Sequence, residues 1–363
     1  MDQRVAHSVT IKDVAQSAGV SIGTVSRVLN RYENVSEDLK QRVLKAAAEL
    51  GYSKTNAPHL PSRNGDGKLK EIGFLHTSIN PEASLHPFWA HILHGAESEA
   101  SASGSRVTYR NIQPFCGTPN TLQSKLYEMH LDGILLVGPI EPDIIHTLQT
   151  AHIPMVLVDN CLSDQSIDAV LSNNFEGAQQ AVTYLIEQGH QRIAFIGGPL
   201  VPGQRLRNKV YTIERRAAGY RNALYHAGLP LDDTLLEESN LTPEGGYEAC
   251  KRLFDRQVSF SAIFCANDPV AMGAMKAIFY AGKRAPEDIS IVGYDDLMAE
   301  HLTPALTTVR VNKEAMGAAA IRALLARMKD PQAETITITV RTELIKRDSV
   351  LPYTREQVNS HFI

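Results

Sequence analysis

The chain lacks most of the features that mark common enzyme and secreted classes. Its four cysteines, Cys116, Cys161, Cys250 and Cys265, are widely scattered with no C-x-x-C, and read as the reduced, buried thiols of a cytosolic protein. No G-x-x-x-x-G-K-[ST] or G-x-S-x-G occurs, so neither nucleotide hydrolysis nor a nucleophile elbow has support. His91 and His94 share a helix face, but no third ligand follows by spacing as in H-E-x-x-H. No metal, cofactor or catalytic residue is therefore expected. The opening "MDQRVAHSVT" has no apolar signal core, and no later apolar run approaches membrane-spanning length. A cytoplasmic location without membrane contact is expected. A strong basic excess is missing too. The net charge of -4 excludes a globally basic nucleic-acid coat, though not a small DNA-reading module.

What is present describes a well-folded protein. Its 363 residues, 43% apolar and 21% charged, suffice for two or three folding units. Residues 1–60 hold eight Lys/Arg against six Asp/Glu, a net of +2 that leaves -6 for the remainder. Residues 1–52 read as helix alone. Residues 53–70, rich in Pro, Gly, Asn and Lys, read as a linker. From residue 71 to 363, short apolar runs ("EIGFLHT", "RVTYRNI", "DGILLVG", "PMVLVDN", "RIAFIGG", "AIFCAND", "ISIVGYDD") alternate with amphipathic helices. That alternation predicts parallel sheets flanked by helices, with too many strands for one sheet and hence two α/β lobes. Ligands of such sheets collect at the carboxyl ends of the strands. Here those ends carry Asp159, Asn267-Asp268 and Asp295-Asp296.

Within the helical start, "TIKDVAQSAGVSIGTVSRVLN" holds two short helical patterns split by Gly19-Val20-Ser21. On a wheel, Val25, Val28 and Leu29 of the second helix share an inward face. Gly23, Arg27 and Asn30 lie opposite, with Ser26 beside them, and Ser21 stands at the N-cap. The pair reads as a helix-turn-helix, although an ordinary helical hairpin capping a domain would look the same. A third helix, "VSEDLKQRVLKAAAELGY", has Ser36 as N-cap and Leu39, Val43, Ala46, Ala47 and Leu50 inward.

These helices resemble the DNA-binding domain of the lactose/galactose-repressor family of bacterial regulators. "EQGHQRIAFIGG", "ERRAAGYRNAL", "AIFCANDPVAMGAM", "DISIVGYDD", "TPALTTVRVNKEAMG" and "RTELIKRDSVLP" resemble that family's sugar-sensing core, in the same order. The resemblance implies an all-α helix-turn-helix headpiece followed by a two-lobed α/β core of periplasmic-binding-protein type. Lobe 1 is expected at about 71–171 and 308–332, and lobe 2 at about 172–307 and 333–363. It implies a repressor that binds an operator with inverted-repeat symmetry as a homodimer and answers a small, carbohydrate-like effector. A purine or phosphosugar effector, or corepression, are variants of the same reading. A solute-binding protein or a sugar-metabolising enzyme is the more distant alternative.

Carried over residue by residue, base reading falls on Ile22, Gly23 and Arg27, and phosphate contacts on Thr10, Ser21, Thr24, Ser26 and Asn30. Arg27 can bond guanine bidentately, whereas Ile22 can only touch a thymine methyl. The effector positions are Arg216 and Asp295, supported by Asp159 and Asn267, with Phe88 and Trp89 as stacking rings and Lys313 at a position that is often apolar. Asp159 and Asn267 could instead be helix caps, Phe88 could be core, and Lys313 could signal an anionic or phosphorylated effector or, more often for such a lysine, reach solvent. The chain departs from the family in its linker, "YSKTNAPHLPS". Pro58 and Pro61 oppose the usual hinge helix, and Leu60, the candidate minor-groove wedge, stands one residue early. The tail "LPYTREQVNSHFI" offers no leucine heptad, so a dimer rather than a tetramer is expected.

Overall fold

Apolar runs such as Gly133–Val137 and Ala262–Cys265 are buried along their whole length, as strands covered on both faces must be. In a computed structural model of the chain they form two six-stranded sheets. Residues 11–29, 36–49, 69–77, 86–198 and 210–353 are described. The chain divides into two units, 1–68 and 69–363.

The first unit contains α1 (Ile11–Ala18), α2 (Ile22–Leu29) and α3 (Glu37–Glu49). Val14, Ala15 and Ala18 of α1, Val25 and Val28 of α2, and Val43, Ala46 and Ala47 of α3 close one small core. Helix α1 ends in a Schellman turn, with Val20 N donating to Ala15 O at 3.0 Å and Gly19 N to Gln16 O at 3.3 Å. Gly19 supplies the positive φ of 65° that this turn requires. Arg42 Nη2 of α3 donates to the freed Ala18 carbonyl at 2.8 Å. The linker with Pro58, Leu60 and Pro61 lies outside the described residues.

In the second unit, lobe 1 is built on a sheet ordered β11-β5-β4-β3-β1-β2. Its strands are β1 (Lys70–His76), β2 (Ser105–Asn111), β3 (Gly133–Val137), β4 (Met155–Val158), β5 (Asp168–Ser172) and β11 (Thr337–Val340). Lobe 2 is ordered β12-β10-β9-β8-β6-β7. It uses β6 (Ile193–Gly197), β7 (Leu236–Glu238), β8 (Ala262–Cys265), β9 (Ser290–Asp295), β10 (Thr307–Val311) and β12 (Thr342–Ile345). All neighbours are parallel except β10 and β12.

Helices α4 (Pro87–Ala102), α5 (Pro119–Met129), α6 (Pro142–Gln149) and α11 (Lys313–Lys329) serve lobe 1. Helices α7 (Asn174–Glu187), α8 (Tyr211–His226), α9 (Pro243–Asp255) and α10 (Asp268–Tyr280) serve lobe 2. Thr118, Thr242 and Asn267 cap α5, α9 and α10 through their side chains, each followed by proline in the first helical turn.

The lobe boundaries differ from those read in the sequence. β10 was expected in lobe 1 but pairs with β9 and β12, and Thr307 N and Thr308 Oγ1 are bonded to Ser349 and Asp268 of lobe 2. The crossing therefore falls at Asn312. β11 was expected in lobe 2 but pairs with β5, so the last crossing falls at Arg341. Lys70 already belongs to β1 rather than to the linker.

The two principal helix pairs meet backbone to backbone. Gly95 of α4 faces the Glu314 backbone and Gly317 of α11 faces Ile92, so that a Cβ at either glycine would collide with a carbonyl. In lobe 2, Gly246 of α9 and Gly273 of α10 repeat the arrangement against Val270 and Pro243.

His190, in the turn before β6, is 2% exposed. It spans Ser261 Oγ at 2.9 Å and Leu351 O at 3.1 Å. Burial holds its pKa down at about 4, and the hydrogen bond to Leu351 opposes that only partly. The unfolded chain takes up this proton near pH 6.5, so the contribution is complete above that value and is lost as pH falls toward 4. Between pH 7 and pH 5 the loss is about 2 kcal/mol. Thermal melts at both values are expected to show a larger acid loss for the wild type than for His190→Gln. Equal losses would mean that His190 does not carry the effect.

Candidate functional site

The helix-turn-helix exposes a short polar edge. Ser21 caps α2, its Oγ accepting from Thr24 N at 3.1 Å and lying 2.9 Å from Thr24 Oγ1. The hydroxyl is thus partly spent on holding the helix start. Ile22 is 45% exposed, Gly23 is exposed and Thr24 is half-buried. Val25 and Val28 of α2 are buried in the small core, and Ser26 and Arg27 are the residues between them in the same helix. Thr10, Asn30 and Leu60 lie outside the described residues. An apolar side chain, a glycine and hydroxyls at the helix start leave Arg27 as the residue with most capacity to read a base edge.

The second unit gathers a polar cluster at the carboxyl ends of β4, β8 and β9, where both lobes contribute. Arg216, on α8, is 3% exposed. Its Nη2 donates to Asp295 Oδ1 at 3.1 Å, Nε to Asn174 Oδ1 at 2.8 Å and Nη1 to the Ala266 carbonyl. The guanidinium also stacks on Tyr294, 3.7 Å from the ring centroid. A planar donor fork held on all sides is a rigid one, and its remaining N–H groups have a fixed direction.

Asp159 follows β4 with a left-handed φ of 58°. Among the described residues its Oδ1 is buried without a hydrogen-bond partner, and so is Trp89 Nε1. Burial pushes the Asp159 carboxyl up to about 7, Arg216 opposing the rise and Asp295 adding to it. The neighbouring Trp89 indole N–H also lowers it, although the two groups do not form a hydrogen bond of good geometry. Trp89 is half-buried beside Gly138, whose φ of 80° and missing side chain make room for the indole. Among the described residues, Asp159 Oδ1 and Trp89 Nε1 are thus a buried acceptor and a buried donor that lie near each other without a hydrogen bond of good geometry.

Other expected contacts turn out to be engaged elsewhere. Asn267 Oδ1 caps α10 through Val270 N at 2.9 Å, and its Nδ2 donates to Leu241 O at 3.1 Å. Phe88 is 4% exposed and belongs to the core, so it presents no open face. Lys313, at the first position of α11, does not reach solvent. It is 9% exposed, and its Nζ donates to the carbonyls of Asp295 and Val311.

Neighbouring acidic residues are structural. Asp296 is paired with Arg310 at 2.7 Å and Arg347 at 2.8 Å. Asp268 is fully buried, accepting from Thr308 Oγ1 and Leu297 N, each at 2.6 Å.

Asn174 was not identified from the sequence. It sits where the chain crosses from β5 into α7, and nothing in "SNNFEG" separates it from a routine helix start. Leu241 was also missed. It has a left-handed φ of 63° and lines a cavity of about 680 Å³ with Pro139, Asn160 and Val210, a cavity whose lining does not include Arg216, Asp295, Asp159 or Trp89. A cavity of that size suits a small ligand.

Residues 10–55 match the family described as bacterial regulatory proteins, lacI family, and residues 182–350 match the periplasmic binding protein-like domain. The chain is 37% identical to the HTH-type transcriptional repressor PurR of Erwinia tasmaniensis, over 94% of this chain and 96% of the relative. Among solved structures, a complex of the transcriptional regulator CelR with cellobiose matches with a TM-score of 0.70 at 31% identity, covering 94% of this chain and all of that one. The lac repressor dimer bound to operator and the anti-inducer ONPF matches with a TM-score of 0.66 at 27% identity, covering 95% and 100%.

Proposed function

This chain belongs to the lacI family of bacterial regulatory proteins, and on that premise we propose that it is a homodimeric transcription repressor whose hold on an inverted-repeat operator is set by a sugar-like effector bound between the two α/β lobes. The observation that carries the effector reading is the rigid Arg216–Asp295 pair with the unpartnered Asp159 Oδ1 and Trp89 Nε1 beside it. Donors and acceptors side by side match hydroxyls, which do both.

A single three-helix unit buries little DNA surface, and pairing two across a palindrome supplies both affinity and specificity. The effector alters operator affinity only to the extent that it binds one arrangement of the lobes better than the other. The site works as a binding site, and incubation with sugars is expected to give no turnover. The cytoplasm, where the DNA is, is the place of action. Among the described residues no helix is long and apolar enough to cross a membrane.

Binding selection on random duplexes tests the DNA-reading half. The wild type is expected to recover an inverted repeat. Arg27→Ala is expected to lose about 1–3 kcal/mol on the best site and to relax preference at one base pair per half-site. An unchanged base preference in the variant would remove Arg27 from the reading surface.

A further inference from the structure

The second helix of the helix-turn-helix is short and lightly anchored. α2 has eight residues, and among the described residues Val25 and Val28 are its anchors in the small core. Two anchors one turn apart seat a helix against its neighbours but resist tilting weakly. A helix of this length runs for about 12 Å, so a tilt of about 10° at its start moves its far end by about 2 Å. A hydrogen bond to a base edge tolerates far less.

The turn that leads into α2 therefore decides how the helix is presented. Val20 N donates to Ala15 O at 3.0 Å, Gly19 N donates to Gln16 O at 3.3 Å, and Ser21 caps α2. These bonds leave the carbonyl of Ala18, the last residue of α1, to be met from outside the turn. Arg42 of α3 meets it, with Nη2 donating at 2.8 Å. The same Nη2 lies against Gly19, where a Cβ would stand 3.2 Å from it. The guanidinium thus touches both the end of α1 and the left-handed residue at which the chain turns. α1 has no basic residue in its own last turn, so Arg42 also supplies the cation that the negative end of a helix dipole favours. Asp38, one turn earlier on α3, lies 4.0 Å from Nη1. The Arg42 side chain is 50% exposed, and a contact so open to water adds little stability. What it adds is direction.

We infer that Arg42 is a positioning residue for DNA reading: from α3 it pins the turn between α1 and α2, and so fixes the angle at which α2 meets a groove. The inference rests on the DNA-reading half of the proposed function. A phosphate contact would make Arg42 serve every sequence alike, whereas a positioning contact serves only the sequence whose bases α2 reads.

The test is DNA binding by the full chain, followed by fluorescence anisotropy. The probes are the duplex that the wild type selects from a random pool and a scrambled duplex of the same length. Arg42→Met keeps the stem and loses the donors, while Arg42→Lys keeps the charge and an N–H for the Ala18 carbonyl. Arg42→Met is expected to bind the selected duplex about tenfold or more weakly than wild type. It is expected to bind the scrambled duplex as tightly, with an unchanged slope of log affinity against log salt concentration. Arg42→Lys is expected to recover most of the loss. Amide hydrogen exchange is expected to show α1, α2 and α3 as well protected in Arg42→Met as in wild type.

Equal affinity of wild type and Arg42→Met for the selected duplex overturns the inference. An equal loss on both duplexes, with a salt slope shallower by about 1, makes Arg42 a phosphate contact instead. Lost protection of the three helices in Arg42→Met makes it a residue that holds the unit folded, which overturns the inference too. Recovery of no preferred duplex by the wild type overturns the DNA-reading proposal itself, and the role of Arg42 with it.

Discussion

Arg216→Ala is expected to abolish the effector response while leaving operator binding by the three-helix unit largely intact. The guanidinium is the shared donor for Asp295, Asn174 and the Ala266 carbonyl. Its removal takes away the fork proposed to fix the effector's hydroxyls and strips three buried acceptors of this donor. Breaking one side of a buried ion pair typically costs about 3–5 kcal/mol, so the variant must first be shown to be folded. Trp89, the only tryptophan, adjoins Asp159, and its fluorescence is expected to report ligand entry. The wild type is expected to give a saturable signal and to release operator DNA on titration. The folded variant is expected to give neither. If effector still released operator from folded Arg216→Ala as strongly as from wild type, the pocket would lie elsewhere. Arg216→Lys keeps the charge but loses the fork, and a weak residual response there would separate geometry from charge.

Gly317→Ala is expected to be among the most destabilising single-methyl changes in the protein. By helix propensity alone, alanine would gain about 1 kcal/mol over glycine. The added carbon, however, would lie on the Ile92 carbonyl of α4, in a contact where two backbones already touch. Overpacking of this kind costs about 3 kcal/mol, and moving α4 displaces Phe88 and Trp89 as well. Melting should show a large fall in stability for Gly317→Ala and almost none for Gly117→Ala, where a new Cβ would meet nothing. A Gly317→Ala protein as stable as wild type would show that the helices can separate freely.

Reading the sequence succeeded where the signal is local. Ser21 and Ser36 announce helix starts, and both accept from the backbone as expected, Ser36 more loosely at 3.5 Å. Fully buried strands such as Met155–Val158 announce themselves as apolar runs. It faltered where tertiary partners decide. β10, "TTVRV", has buried threonines bonded by Asp268, Ser349 and Arg347, distant partners in lobe 2 that no local pattern reveals. β11 alternates between exposed and half-buried positions and carries little apolar signature. "CANDP" fits a capped helix start and a ligand contact equally well, and only the bond from Val270 N assigns Asn267 to the cap. Lys313 could not be placed without knowing that α11 starts at a crossing point. The paired glycines of α4 and α11 stand 222 positions apart, and no local pattern connects them.

The chain passes between lobes at Asn173, Asn312 and Arg341. Neither lobe is therefore a continuous stretch: lobe 1 takes 313–340 from beyond lobe 2, and lobe 2 takes its edge strand from beyond that. One consequence concerns fragments. A single cut in the backbone frees neither lobe, and a protein truncated after β9 lacks pieces of both. One apolar cluster also runs from Ile72 and Leu324 through to Val292 and Phe264, so the loss of order in one lobe strips cover from the other. Proteolysis at one exposed loop should leave a nicked but associated core, and the two lobes should come apart in a single cooperative step.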